Sequence, residues 1–347
     1  IPARVNAHVH LDLTHIGPRP FERVKGFVPW VEMVRTERAT DEPGIRASVR
    51  EGIRMSRAGG VALVGDIAGA GSTVPGNELE RFEMRGASFV EFFGLGNRQQ
   101  ATIDAMREAL DSVRPKSTVM HSLQPHAPYS AGLRVYDSAA IQAASHPIAT
   151  HLAEVPEEVE FVRTCGGPFR EMLERIGVWD DSIRDDFEGH ASPVEHLAPT
   201  LGPHVIADHV NVASDTDLDI LSQKRVRVVY CPRCSDYFGR HHDFGPHRYR
   251  DMMGMGIHVS LGTDSIINLP GGTERISTLD EMAFLRARDG TDSTTLLAMA
   301  TTGGANALSF DPSLFTFAKG PVAGVLAIPG ATLDDAIAQA GEIAWIT

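Results

Sequence analysis

Cysteine is scarce in this chain: 347 residues hold three, Cys165, Cys231 and Cys234. An odd, sparse set is no disulfide framework and points to a reducing cytoplasm. Long apolar runs are missing as well. Nothing approaches 18 consecutive apolar residues, so no transmembrane helix is expected. No cationic start leads into an apolar stretch, so no signal peptide is read. The first residue is Ile1 rather than Met, which leaves room for a start lying upstream. Positive charge is in short supply, with 32 Lys and Arg against 45 Asp and Glu for a net charge of −13. A nucleic-acid backbone would want a basic surface, so that class of partner is disfavoured. No internal repeat and no low-complexity tract occurs.

What is present is an alternation. Short apolar segments rich in β-branched residues recur at Val5–His10, Val61–Ile67, Ser88–Phe93, Thr118–Gln124, Pro147–His151, His204–Val210, Val226–Cys231 and Ile257–Leu261. Segments of this kind suit buried parallel strands. Helical stripes lie between them. Gly44–Arg57 carries Ile45, Val49 and Ile53 and stops at Gly59-Gly60. Gln99–Val113 carries Ile103, Met106 and Leu110 and ends before Pro115. Asp215–Lys224 opens on an Asp read as its cap, and Pro246–Met255 closes at Gly256. Eight strands with intervening helices predict an α/β fold, a (β/α)8 TIM barrel. The alternative is an open doubly wound sheet, but Gly69-Ala70-Gly71 after the second strand matches its phosphate-binding turn poorly.

Two connections are long. Gly17–Asp41 holds Phe21, Phe27 and Trp30, which either pack a loop or cover substrate. Val155–Pro203 is expected to contain helices of its own at Val159–Thr164 and Phe169–Ile176. Long connections after barrel strands lie over the mouth where sites are built. Residues 1–310 are read as the barrel and 311–347 as a β appendage, with a turn from Ala318-Lys319 into a strand at Val322–Ile328.

The polar residues gather at the ends of those strands. The first strand carries His8 and His10 on one face, because side chains alternate along a strand. Strand four runs into Gln124-Pro125-His126, strand five into His151-Leu152-Ala153-Glu154, strand six into Asp208-His209, and strand eight into Gly262-Thr263-Asp264-Ser265. In a barrel these ends meet around one site. Imidazoles with a carboxylate suit zinc or a similar first-row divalent ion.

Together the H-V-H, H-A-P-Y-S, H-L-A-E, strand-six histidine and G-T-D-S motifs resemble the amidohydrolase superfamily. Within it they are most similar to the chlorohydrolase and nucleoside-deaminase branch, which includes guanine, cytosine, S-adenosylhomocysteine and aminodeoxyfutalosine deaminases. The likeness runs from Asn6 to about Ile328 and extends to Cys231-Pro232-Arg233-Cys234, where Cys234 replaces a serine. It implies that His8, His10, His151 and Asp264 bind one divalent ion, zinc before iron. It also implies that Glu154 shuttles protons, that His209 and Asp264 act on the attacking water, and that His126 faces substrate. Trp30 and Arg233 join as candidate substrate contacts. A carboxylated lysine would mark a two-metal relative, but Lys116 precedes strand four and the rim position belongs to His126, so a single ion is expected.

The implied function is hydrolytic deamination: hydroxide on the metal attacks an amino-bearing ring carbon of a purine nucleoside-like compound, aminodeoxyfutalosine-like by preference, and ammonia leaves. Guanine or cytosine deamination and triazine dehalogenation stay open on the same site, as does an inactive metal-binding barrel or a fragment of an enzyme. Cys231 and Cys234 with His241, His242 or His247 could hold a structural zinc instead. The expected partner is a small molecule, with no nucleic acid or membrane and a homodimer left open. One departure stands out. Relatives carry strands before their H-x-H that form a small β-sandwich with strands after the barrel, whereas only a few residues precede His8. The Val322–Ile328 strand is therefore expected to lack partners, an exposed edge being a liability.

Overall fold

The structure, a computed structural model, describes residues 1–114, 117–187, 189–317 and 320–346. Pro115 and Lys116, expected to end a helix and precede a strand, lie outside the described residues, as does the expected turn at Ala318–Lys319.

Eight parallel strands form: β1 (Arg4–Val9), β2 (Val61–Ala68), β3 (Arg85–Phe92), β4 (Met120–Pro125), β5 (Ile148–Leu152), β6 (Val205–His209), β7 (Arg227–Tyr230) and β8 (His258–Leu261). All eight expected segments are strands, displaced by up to three residues at either end. They pair in sequence order as two half-sheets, β1-β2-β3-β4 and β5-β6-β7-β8. Both seams between the halves are made at the strands' C-terminal ends. At one, the N–H groups of Thr263 and Asp264 donate to the His8 carbonyl at 3.0 and 3.1 Å. At the other, the His151 N–H donates to the His126 carbonyl at 2.9 Å. The fold is a (β/α)8 barrel, and its seams are tied by the same residues that carry the imidazoles.

Apolar burial joins the halves. Val5, Leu63, Phe89, Ala149, Ile206 and Val229, from six strands, pack with Leu308 and Phe315 in one fully buried cluster. Close approach matters in β2, where a Cβ on Gly65 would stand 2.3 Å from the Ala7 carbonyl oxygen. Only glycine lets β1 lie that near.

The helices follow the apolar stripes with adjusted ends. Glu42–Ala58 begins directly after its cap Asp41, two residues ahead of the expected start, and the Asp41 carboxylate accepts the Gly44 N–H. Asp215–Gln223 is capped by Ser214, not by Asp215: Ser214 Oγ accepts the Asp217 N–H and Asp217 accepts back from Ser214, a capping box. The last expected helix shortens to Tyr249–Gly254, because His247 turns its Nδ1 to the Tyr249 N–H and its Nε2 to the His209 carbonyl. Residues 17–41 contain a helix at Phe27–Glu37, and the segment after β5 contains Pro156–Thr164, Gly167–Arg175 and Pro193–Leu197. No helix among the described residues is long and apolar enough to cross a membrane.

The terminal strand differs from expectation. It is only Leu326–Ala327 (β9), and it is paired on both sides. Ala344–Trp345 (β10) runs antiparallel along one side. On the other, the Ala3 N–H donates to the Gly324 carbonyl at 2.8 Å and the Leu326 N–H to the Ile1 carbonyl at 2.9 Å. The residues ahead of β1 thus supply the pairing that the terminal strand was expected to lack.

Candidate active site

On β1 the alternation of side chains sends Asn6 and His8 the same way, with His10 just beyond the strand. Asn6 fixes the far wall: its Nδ2 donates to Thr263 Oγ1 at 2.7 Å and its Oδ1 accepts the Thr263 N–H at 3.1 Å. The next residue, Asp264, is thereby held over the histidines. Its Oδ1 lies 3.8 Å from His8 Nε2 and 3.4 Å from His10 Nε2. His151, at the end of β5, closes the group, its ring 5.1 Å from that of His8 and 5.5 Å from that of His10. His209, at the end of β6, stands 5.2 Å from His8 and 5.3 Å from His151. Strand ends here are strained: Asp264 has φ 58°, His209 72° and Ala153 52°. Left-handed backbone at non-glycine residues costs about 1–3 kcal/mol each and persists where surrounding structure enforces it.

The donor set fits one divalent cation. The ligand atoms of His8, His10 and His151 lie within 4.8 Å of one another, all buried. His8 Nε2 and His151 Nδ1 are buried without a hydrogen-bond partner, as expected of atoms meant for an ion. Charge says the same. Burial opposes it, but Glu91, Glu154 and Asp208 together push His151 up to about 9. Without an ion the cluster takes a proton there, which a bound cation would displace. Burial and the neighbouring imidazoles hold His10 and His209 well below the usual histidine range, so both rings are neutral.

Glu154 sits beside this cluster, its Oε1 3.9 Å from His209 Nε2. Burial is the main cause that raises its carboxyl to about 7. Its backbone is pinned: Glu158 accepts the Ala153 and Glu154 N–H groups at 2.9 and 2.7 Å, and Asn211 Nδ2 donates to the Glu154 carbonyl at 3.1 Å. His126 lies 5.0 Å from His151, ring to ring, with its Nδ1 2.6 Å from Ser130 Oγ, and burial lowers it to about 3.

Two further expected residues, Trp30 and Arg233, have partners of their own. Trp30 packs on Phe27 at 5.3 Å and on Phe238 at 5.0 Å, within an aromatic cluster. Arg233 is engaged by buried Glu281, at 2.6 Å from Nε. It lines a cleft of about 620 Å³ with Phe21, Tyr237 and Asn268. Cys231 and Cys234 are buried, and no histidine joins them in a metal-sized group among the described residues. Cys234 instead donates its thiol to Asp264 Oδ2 at 2.7 Å.

Sequence reasoning missed four charged residues. Asp208 puts Oδ2 3.1 Å from His8 Nδ1, which leaves Nε2 of that ring free for a cation. Glu91, on β3, has Oε1 3.8 Å from Nε2 of both His126 and His151. Burial works against ionisation, yet Arg38, His126 and His151 hold Glu91 well below the usual carboxylate range. Arg38 and Arg240 are buried guanidiniums, the second lying over the rings of Phe27 and Phe238 with Nε and Nη2 unpartnered. The alternation on β3 was the one available signal for Glu91; nothing in spacing marks the two arginines.

A barrel with imidazoles and a carboxylate at its C-terminal rim defines the class. The amidohydrolase family matches residues 1–330, and the chain belongs to it. Among particular relatives, the chain is 26% identical over 324 residues to an aminodeoxyfutalosine deaminase of Deinococcus radiodurans, covering 87% of this chain and 72% of that one. It is 27% identical over 216 residues to a 5-methylthioadenosine/S-adenosylhomocysteine deaminase of Syntrophobacter fumaroxidans, covering 60% of this chain. That match spans only 43% of the relative's length. An adenosine deaminase of Xanthomonas campestris, solved with bound zinc, superposes with a TM-score of 0.68 at 19% identity, over 89% of this chain and 67% of that one.

Proposed function

We propose that this protein is a metal-dependent hydrolytic deaminase of purine nucleoside-like substrates, an aminodeoxyfutalosine-like compound being favoured. His8, His10, His151 and Asp264 would hold one divalent ion, zinc by preference. The observation that carries the reading is Glu154: a pinned carboxyl, raised to about 7, beside an imidazole cluster of metal-binding geometry. When bound, the ion supplies Lewis acidity, lowering the pKa of water from 15.7 to about 7.

The chain's own groups do the rest. Glu154, near half-ionised at neutral pH, takes a proton from the attacking water and gives one to the ring nitrogen beside the reacting carbon. It then takes the remaining proton of the hydroxyl added to that carbon and passes it to the departing amine, so that ammonia leaves and the carbon keeps a carbonyl oxygen. His209, neutral and 3.9 Å from Glu154, orients the water. Asp264 accepts a hydrogen bond from the same water. His126, neutral and at the edge of the cluster, presents Nε2 to substrate. The names of the two deaminase relatives support an adenine-like ring.

Ammonia release from the zinc-loaded protein tests this, with aminodeoxyfutalosine, S-adenosylhomocysteine, methylthioadenosine, adenosine, guanine and cytosine as substrates. Turnover of at least one adenine-containing nucleoside is expected, with stoichiometric ammonia. Ammonia from the free bases alone, or from none, overturns the proposal.

A further inference from the structure

We infer that Arg38 is a positioning residue for the metal centre, acting through Glu91 on His151. This rests on the reading of His151 as a ligand. Arg38 follows the helix Phe27–Glu37 in the connection after β1, and its side chain is only 13% exposed. The guanidinium reaches inward over Gly69, where a Cβ would lie 2.3 Å from Cζ, so the absence of a side chain makes the passage. It bridges two buried carboxylates. Nε lies 3.2 Å from Asp12 Oδ2, and Nη1 lies 3.0 Å from Glu91 Oε2.

That leaves Glu91 one oxygen for the site, Oε1, 3.8 Å from His151 Nε2. Gln124 stands 3.1 Å from the same nitrogen, while its own Oε1 is buried and unpartnered. Turning that amide over makes Gln124 Oε1 an acceptor, which assigns the proton of His151 to Nε2. Amide orientation is fixed by such networks. Glu91 and Gln124 then both favour the tautomer that frees Nδ1. A ligating histidine commonly gives its other N–H to a carboxylate, and loss of that partner costs about 10–100-fold in metal affinity. Arg38 holds Glu91 aimed at that nitrogen. Its charge also argues against a second cation between Glu91, His126 and His151, although their ligand atoms lie within 4.8 Å of one another.

The test is zinc affinity, measured by competition with a chromogenic chelator. Arg38→Met and Glu91→Gln are each expected to weaken binding at least tenfold, with one zinc per chain in the wild type. The double variant should lose no more than Glu91→Gln alone, because both act through one contact. Arg38→Lys keeps the charge without the fork, guards against a folding defect, and should lose less than Arg38→Met. Unchanged zinc affinity in Arg38→Met, additive losses in the double variant, or two zinc ions per wild-type chain overturns the inference. His151→Ala separates the failures. If it retains zinc, the ligand assignment falls and this inference with it. If it loses zinc while Arg38→Met binds normally, only the role of Arg38 falls.

Discussion

Replacing Glu154 with Gln keeps the side chain's shape and removes its capacity to carry a proton. Two opposite effects are expected. Turnover should fall by about 10²–10⁴, the usual contribution of a positioned acid–base group. Stability of the metal-free protein should rise at alkaline pH. Burial lifts the Glu154 carboxyl from 4.5 to about 7. A group whose folded value is raised contributes stability that is complete below its unfolded value and is lost as pH climbs through the folded one. At roughly 1.4 kcal/mol per pH unit, the charged carboxylate costs the fold about 3 kcal/mol above pH 7. Gln does not ionise, so it escapes that cost. Urea unfolding in the presence of chelator should therefore find Glu154→Gln more stable by up to about 3 kcal/mol at pH 8. At pH 5 the difference should be within about 1 kcal/mol. Equal stability at both pH values, or turnover within tenfold of wild type, would refute the reasoning.

Other outcomes follow from single contacts. Asp208→Asn can donate to His8 Nδ1 and so favour the wrong tautomer; zinc affinity by chelator competition should fall about 10–100-fold while the circular dichroism spectrum is unchanged. Cys234→Ser keeps a donor for Asp264 and should hold zinc and kcat/KM near wild type, whereas Cys234→Ala should lower kcat/KM severalfold. Phe89→Ala empties a place in the cluster shared by both half-sheets and should destabilise the protein by about 3–5 kcal/mol in urea unfolding.

The barrel was legible because its strands are short and apolar and alternate with helical stripes, and because their polar residues fall at one end. The imidazoles and Glu154 were legible for the same reason: each ends a strand. Trp30 and Arg233 stood in recognisable segments, but which way they turn is decided by neighbours far along the chain, Phe238 for one and Glu281 for the other. Glu91 looked like a stray charge in an apolar strand. Only Arg38, 53 residues earlier, explains why it is affordable there. Asp208 was visible beside His209, yet its role depends on His8, 200 residues away in sequence. The pairing of Ile1–Ala3 with the terminal strand escaped notice because three residues carry no periodicity.

That pairing bears on how β1 keeps its registration. The strand is fastened at its start by Ala3 to Gly324, and by buried Arg4, whose Nη2 donates to the Gly59 carbonyl at 2.6 Å. It is fastened at its end where the His8 carbonyl receives Thr263 and Asp264. Sliding β1 by one residue would carry His8 to the opposite face and bring Ala7 or Val9 to the rim. The tail that follows the barrel thus works as a ratchet stop for a site at the other end of the strand. Hydrogen exchange at the Ala3 and Leu326 amides would then report on how firmly the strand that carries His8 is held in place.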